Sequence, residues 1–258
     1  MRILLVNDDG VAAPGIKALR APLENHFDVT TIAPSEERST TGHSLSLDKP
    51  LRLDKHDEKI FGCSGFPADC VQIGLGHVMK NARPDLVISG INRGANLGQD
   101  LYYSGTVAGA REAAFHNVPA LAVSLVFNDV THPHLYETAA EVIKWCVDLG
   151  IHKACPPMTL ININVPNIKL ADLKGCKLSE IGFRRYSEEI HVRMDARGRE
   201  YFWIAGLYEG HGPNPESDCA AVAQGFVAIT PHRLIDGPKV DWSALTSVVE
   251  KLNAKILS

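Results

Sequence analysis

Ile3-Leu4-Leu5-Val6-Asn7-Asp8-Asp9-Gly10 is the stretch that decides the fold. Four consecutive apolar residues suit a strand buried on both faces, the kind found inside a parallel sheet. The run stops on two adjacent carboxylates and an Asp-Gly turn signal. Parallel strands need helical crossovers, and the chain supplies them. Ile16, Leu19 and Leu23 fall at helical spacing and predict a helix over residues 15–23, followed by a second buried-type strand over 29–33. The alternation continues with a helix over 67–79, a strand over 86–88 ended by Ser89-Gly90, and a helix over 106–115. A strand over 120–125, a helix over 136–149 and a strand over 160–165, stopped by Pro166, complete it. This order implies right-handed βαβ units and a Rossmann-like α/β fold, with a mostly parallel sheet flanked by helices.

Two stretches depart from that pattern. Leu45, Leu47, Leu51 and Leu53 alternate with polar residues, and Ile60-Phe61 follows a charged turn over 55–59. That predicts an antiparallel hairpin inserted at about residues 44–63. Beyond Pro166 the signals become short strands over 177–181, 190–194 and 201–205, with Arg197-Gly198-Arg199 as the turn between the last two. An irregular Gly- and Pro-rich loop over 206–217, a strand over 226–229 and an amphipathic helix over 242–257 follow. The reading is a catalytic core over 1–166 and a C-terminal, β-rich and helical extension over 167–258. The extension serves oligomerisation and is not an independent domain.

Composition bounds the function. In 258 residues, 26 Lys and Arg face 30 Asp and Glu, a net charge of −4, with 45% hydrophobic and 22% charged residues. These are values of a soluble globular chain, and the mild acidity argues against binding a nucleic acid polymer. The most apolar stretch, residues 118–127, is broken by Pro119 and Ser124 and falls short of the roughly 20 residues of a membrane span. The apolar run after Met1-Arg2 is shorter than a signal-peptide core of roughly 7–15 residues. The six cysteines form no C-x-x-C pair. A cytoplasmic protein with reduced thiols and no membrane contact is expected.

Ligands of an open α/β sheet bind beyond the carboxyl ends of its strands, and four polar clusters fall there. Adjacent carboxylates at Asp8 and Asp9 repel, so one pKa rises unless a cation is present. A hard divalent cation with oxygen ligands relieves that repulsion; the alternative is a solvated turn. The loop Ser89-Gly90-Ile91-Asn92-Arg93-Gly94-Ala95-Asn96-Leu97-Gly98 carries glycines that permit close backbone approach, and two amides able to meet a metal or a phosphate. It matches neither standard phosphate-loop pattern, and an Asx-rich surface loop is its other reading. Tyr103-Ser104-Gly105-Thr106 precedes a helix, where a hydroxyl caps or the free N–H groups bind an anion. Residues 34–44, taken alone, read as a flexible polar loop. His132-Pro133-His134 reads as a surface loop, Pro67-Ala68-Asp69 as a helix start with a favourable carboxylate. His211 and His232 receive no role.

Together these clusters resemble the SurE family of survival-protein nucleotidases, metal-dependent phosphatases acting on nucleoside monophosphates. The resemblance rests on the opening through Gly10, on residues 34–39, on Gly65–Cys70 as a Gly-x-Pro-Ala-Asp-Cys stretch, and on Ser89–Asn96 as Ser-Gly-x-Asn-x-Gly-x-Asn. It continues through Tyr103-Ser104-Gly105-Thr106-Val107, residues 160–166 and Ile229-Thr230-Pro231. Phe66 stands where the family usually has Thr, and Ala95 where it often has Pro; both bear on substrate preference. The resemblance implies one divalent cation per subunit, Mg²⁺ or Mn²⁺, on Asp8, Asp9, Ser39 and Asn92. It implies a phosphate among Asn96, Ser104, Gly105 and Thr106, with Asp8, Asp9 and Ser104 as catalytic groups. It also implies a homodimer or homotetramer exchanging C-terminal segments. The expected reaction is hydrolysis of nucleoside 5′-monophosphates to nucleoside and phosphate, with 3′-nucleotides and short polyphosphate left open. The rivals are a phosphorylatable, Mg²⁺-binding receiver domain, a phosphatase with a covalent aspartyl intermediate, and a nucleotide sensor without turnover.

Overall fold

Ile3, Leu4, Leu5 and Val6 are completely buried. Their alternation sends Ile3 and Leu5 into one apolar cluster and Leu4 and Val6 into another, as the period of two along a strand requires. The computed structural model describes residues 1–127, 132–236 and 240–257. The first part of the chain runs β1 (Arg2–Val6), α1 (Pro14–Glu24), β2 (Asp28–Pro34), β3 (Leu53–Asp57), β4 (Ile60–Cys63), α2 (Pro67–Ile73) and β5 (Leu86–Arg93). It continues with α3 (Gly105–Phe115), β6 (Ala120–Val126), α4 (Tyr136–Asp148) and β7 (Thr159–Pro166). Next come β8 (Cys176–Leu178), β9 (Arg184–Tyr186), β10 (Ile190–Met194), β11 (Glu200–Ile204), β12 (Tyr208–His211), α5 (Asp218–Ala223), β13 (Val227–Arg233) and α6 (Ser243–Ile256).

Among the described residues, nine strands form one sheet in the order β3-β4-β2-β1-β5-β6-β7-β13-β8. β1 pairs in parallel with β2 on one side and β5 on the other, so the winding direction reverses between β1 and β5. Helices α1, α4 and α6 cover one face through Ile16, Leu19, Val142, Ile143, Leu245 and Leu252. Helices α2 and α3 cover the other through Cys70, Val71, Val107 and Ala110. The helices and strands of the expected α/β frame are present, and the sheet is mostly parallel.

The structure corrects several boundaries. The inserted hairpin is β3 and β4, antiparallel to each other, with β4 parallel to β2. The leucine-alternating residues 44–52 form no strand, and Leu47 is 89% exposed. Pro50 lacks the N–H a ladder needs, while the charged residues 55–57 are tolerated because β3 is an edge strand. Ser89-Gly90 does not end β5, which pairs with β6 again at Asn92 and Arg93 past an irregularity. Gly90 makes this passage fit: at φ +142° its Cα faces the Val123 carbonyl so closely that a Cβ would lie 2.3 Å from that oxygen. Helix α2 ends at Ile73, and residues Gly74–Val78 wind on as a π-helical turn.

Within the expected loop 206–217 lies β12, paired with β9. The short helix α5, capped by Ser217 Oγ, was not anticipated. The strand expected over 226–229 runs to Arg233 and lies between β7 and β8, antiparallel to the former. Residues beyond Pro166 therefore extend the same sheet. Among the described residues no helix is long and apolar enough to cross a membrane. All six cysteines are unpaired.

Candidate active site

The carboxyl ends of β1 and β5 meet where the sheet reverses direction, the position at which open α/β sheets take ligands. A cleft of about 480 Å³ opens there, and its lining includes Asp8, Ser39, Asn92, Asn96 and Ser104. Five of the eight predicted site residues thus share one cavity. The other three stand against it. Asp9 Oδ2 accepts the Arg93 N–H at 2.9 Å, the Thr106 hydroxyl donates to Asp8 Oδ1, and Gly105 abuts the Asp8 side chain.

Asp8 is 4% exposed. Burial pushes its carboxyl up to about 6; the Thr106 hydrogen bond opposes this and the Asp9 charge adds to it. Asp9, half-buried, is also raised by burial, against the Arg93 N–H and guanidinium and with the Glu37 charge. Two carboxylates that are both disfavoured as anions form a site waiting for positive charge. Among the described residues no group of three or more His, Cys, Asp or Glu gathers that could hold a metal. A cation on the acidic pair must therefore complete its shell from neutral oxygens. Ser39 and Asn92 are suited to that. Asn92 Nδ2 donates to the Gly94 carbonyl at 2.9 Å, which turns the amide so that Oδ1 is the atom able to ligate. Ser39 Oγ donates to Glu37 Oε1 at 2.7 Å, keeping its lone pairs. All four are hard oxygen donors, the set Mg²⁺ and Mn²⁺ prefer.

Residues 34–44 are ordered by the site rather than flexible. The Arg38 N–H donates to the Asp8 carbonyl at 2.7 Å and the Gly42 N–H to the Tyr103 carbonyl at 2.9 Å. Between these anchors Thr40 sits at φ +56°, an uncommon conformation for a β-branched residue, and lines the cleft beside Ser39. Farther along, His43 Nε2 meets Glu112 Oε2 of α3 at 2.8 Å, fastening the segment to the helix that starts at the cleft.

The start of α3 supplies a further part of the lining. Ser104 is the N-cap of α3, its Oγ accepting the Val107 N–H at 3.0 Å; the hydroxyl hydrogen is left to meet a ligand. Thr106 is fully buried, and both its hydroxyl and its backbone N–H face the Asp8 carboxylate. Asn96 Nδ2 donates to Ser124 Oγ at 2.8 Å, which uses one of its two amide hydrogens.

Sequence reasoning missed the support behind Asn96. Asn164 Oδ1 accepts the Asn96 N–H at 3.0 Å, and Asn162 and Asn164 both donate to its carbonyl, at 2.8 and 3.1 Å. The signal was present: Ile161-Asn162-Ile163-Asn164 places two amides at alternate positions of a buried strand. Gln99, Asp100, Tyr103 and Tyr186 also line the cleft and were not singled out. His211 and His232 are not among its lining residues. His132 lines a separate, larger cleft of about 640 Å³, and the His134 ring stacks on Phe127 with centroids 4.3 Å apart. Asp69 is the expected helix-start carboxylate, accepting the Phe66 N–H at 2.9 Å. Phe66 itself lies under the Arg38 guanidinium, 5.5 Å from ring centroid to Cζ.

Fold and cleft together define a Rossmann-like α/β protein with an acidic, oxygen-rich ligand site at the carboxyl edge of its sheet. The family model described as Survival protein SurE matches residues 3–188. Similar proteins include a 5′-nucleotidase SurE of Synechococcus sp. (strain JA-3-3Ab), 42% identical over 90% of this chain and 91% of its own. A 5′/3′-nucleotidase SurE of Proteus mirabilis (strain HI4320) is 42% identical over 90% of this chain and 89% of its own. The crystal structure of the SurE protein from Aquifex aeolicus superposes with a TM-score of 0.81 at 36% identity, covering 96% of this chain and 98% of that one. The chain belongs to the SurE family.

Proposed function

We infer that this chain is a metal-dependent phosphomonoesterase that hydrolyses nucleoside 5′-monophosphates to nucleoside and phosphate. The observation that carries this reading is the convergence of Asp8, Ser39, Asn92, Asn96 and Ser104 on one cleft at the sheet's reversal point. The names of the curated relatives support the nucleotide class, and the Proteus mirabilis relative's name extends it to 3′-nucleotides. Asp8, Asp9, Ser39 and Asn92 would hold a single divalent cation, Mg²⁺ or Mn²⁺. When bound, such a cation neutralises phosphate charge and lowers the pKa of an adjacent water. Asp9, the more accessible carboxylate, would orient an attacking water in line with the leaving alcohol. Asn96 and Ser104 donate to the phosphoryl oxygens, and the Gly105 N–H and the positive end of α3 add to them, with Thr106 at the same helix start. Thr106 keeps Asp8 turned toward the cleft.

The same reading assigns residues 1–166 to chemistry and much of 167–258 to assembly. Strands β10 and β11 form a two-stranded ribbon outside the main sheet. It carries Ile190, Val192, Met194, Phe202, Trp203 and Ile204, each more than half exposed. Two-stranded ribbons are marginal alone, and an apolar surface of this kind marks a contact between proteins. A homodimer or homotetramer that packs this ribbon and exchanges C-terminal segments satisfies it. Unpaired thiols accord with a cytoplasmic setting.

The decisive experiment measures phosphate release from a panel of nucleoside monophosphates with and without EDTA, with Mn²⁺ or Mg²⁺ then restored. Loss under EDTA and recovery with metal are expected, and Asp8→Asn and Asp9→Asn should abolish release while keeping the folded circular-dichroism spectrum. Full activity of both variants with added metal would overturn the mechanism. Tight binding of AMP without phosphate release would instead identify a sensor.

A further inference from the structure

The cleft lining also carries two aromatic rings that the hydrolytic chemistry does not use. Tyr103 and Tyr186 both line it, 64% and 39% exposed respectively. Tyr103 precedes the cap of α3. Tyr186 ends β9 and is delivered from the far part of the chain by a polar latch. The Gln99 amide grips the Arg184 backbone from both ends, Nε2 donating to its carbonyl at 2.7 Å and Oε1 accepting its N–H at 2.8 Å. Asp100 Oδ2 accepts Arg184 Nη1 at 2.6 Å and also the Tyr186 hydroxyl. On the far side the Arg184 guanidinium lies 4.4 Å over the Tyr208 ring and 5.3 Å over that of Tyr186.

This arrangement has two consequences. Tyr186 is held by its hydroxyl and packed from behind, so it presents a rigid ring at little entropic cost on binding. Most of the polar groups around it are engaged in the latch: the Gln99 amide is turned onto a backbone, and Asp100 Oδ2 receives both donors. What the two tyrosines offer a ligand is chiefly ring faces, with the Asp100 Oδ1 lone pairs as the main polar feature beside them.

We propose that Tyr103 and Tyr186 form the nucleobase subsite, receiving the base of the substrate by stacking while its phosphate lies at Asn96 and Ser104. The proposal rests on the nucleotidase reading and specifies how substrate is selected: aromatic surface governs preference, and base identity is read weakly. Every base has a π face, so purines outrank pyrimidines while adenine and guanine are nearly equivalent.

Ribose 5-phosphate, the same ester without a base, separates the subsite from the chemistry. In the full-length protein with Mn²⁺, kcat/KM for AMP should exceed that for ribose 5-phosphate on the order of tenfold, the effect expected of one base–aromatic stack. Tyr186→Ala should bring this ratio close to one, chiefly through KM, whereas Tyr186→Phe should keep it. Tyr186→Leu replaces the ring by an apolar group and guards against a folding defect in the alanine variant. A purely structural role for Tyr186 would depress both substrates together and preserve the ratio, overturning the proposal. Equal wild-type turnover of AMP and ribose 5-phosphate would also overturn it while leaving the phosphatase reading intact. Calorimetric binding of AMP against ribose 5-phosphate gives the same comparison without turnover, so failure of hydrolysis would still leave the stack measurable.

Discussion

Gly105 and Asp8 are in direct contact across the cleft floor: a Cβ added to Gly105 would stand 2.9 Å from both Cβ and Oδ2 of Asp8. The helix start and the first strand's carboxylate therefore set each other's position. Gly105→Ala has no conformational penalty, since Ala is the stronger helix former, yet it must push Asp8 aside. Displacing a reacting group by an ångström costs about 10²-fold, and a loss of that order in kcat/KM for AMP is expected with the melting temperature little changed. Gly76→Ala, where an added Cβ meets nothing within 4 Å, is the control and should retain activity. Equal activity of the two variants would show that Asp8 need not be fixed there.

Asp8 also makes the metal-free protein pH-sensitive. Its pKa is raised in the fold to about 6 from 3.8, so ionised Asp8 destabilises the folded state above about pH 6. The penalty is relieved as pH falls and is gone below about pH 4. A shift of this size is worth about 3 kcal/mol. In EDTA, Asp8→Asn should therefore melt several degrees above the parent at pH 7.5, with the gap closing toward pH 4. Added Mn²⁺ should reverse the order, because only the parent gains binding energy. Differential scanning fluorimetry across pH, with and without metal, reads both signs.

Glu112 is buried at 5% exposure and shared by His43 at 2.8 Å, His116 at 3.2 Å and Gln72. Burial alone would raise its pKa, but the His43 hydrogen bond and charge carry it below the ordinary value. A depressed carboxyl stabilises the fold above its unfolded pKa and loses that contribution as pH falls through the folded one. Glu112→Ala should lower stability by about 1–3 kcal/mol at pH 7 in urea titrations, and the deficit should shrink as the pH falls below the ordinary carboxyl range. Because His43 fastens the segment carrying Ser39, the apparent Mn²⁺ affinity measured by activation should weaken as well.

The ribbon of β10 and β11 gives a prediction about assembly. Ile204 is 91% and Phe202 61% exposed in the single chain. In a monomer, Phe202→Asp with Ile204→Asp would be nearly neutral, as surface changes usually are. Between subunits the same pair places desolvated charges in an apolar contact, and light scattering should show a drop in mass. An unchanged mass would place the subunit contact elsewhere.

The chain announced its α/β frame because buried parallel strands and amphipathic helices leave distinct periods, as in Ile3–Val6 and in Ile16, Leu19 and Leu23. The acidic pair, the Asn loop and the Ser104 turn were legible for a related reason: each sits at the boundary of a strand or helix, so local sequence fixes its place. The leucine run at 45–53 misled, since alternation alone does not reveal whether a sheet neighbour exists. The aromatic wall was hidden by distance. Tyr186 reaches Asp100 across 86 positions, and no short motif encodes a latch whose halves lie that far apart. Likewise, the burial that raises the Asp8 pKa is a property of packing, invisible until Thr106 and Gly105 are set beside it.

The placement of β13 between β7 and β8 bears on how the molecule is made. While the ribosome is still synthesising residues 167–226, β7 is an open edge of an otherwise finished half-sheet, with its ladder donors and acceptors unanswered. An open edge of Leu160-Ile161-Asn162-Ile163 is a template for any extended neighbour. The last strand thus acts as a seal applied after β1 to β7 have already emerged. Nascent chains, truncated just before Val227, should be held by chaperones or aggregate, whereas chains that have released Arg233 should resist proteolysis.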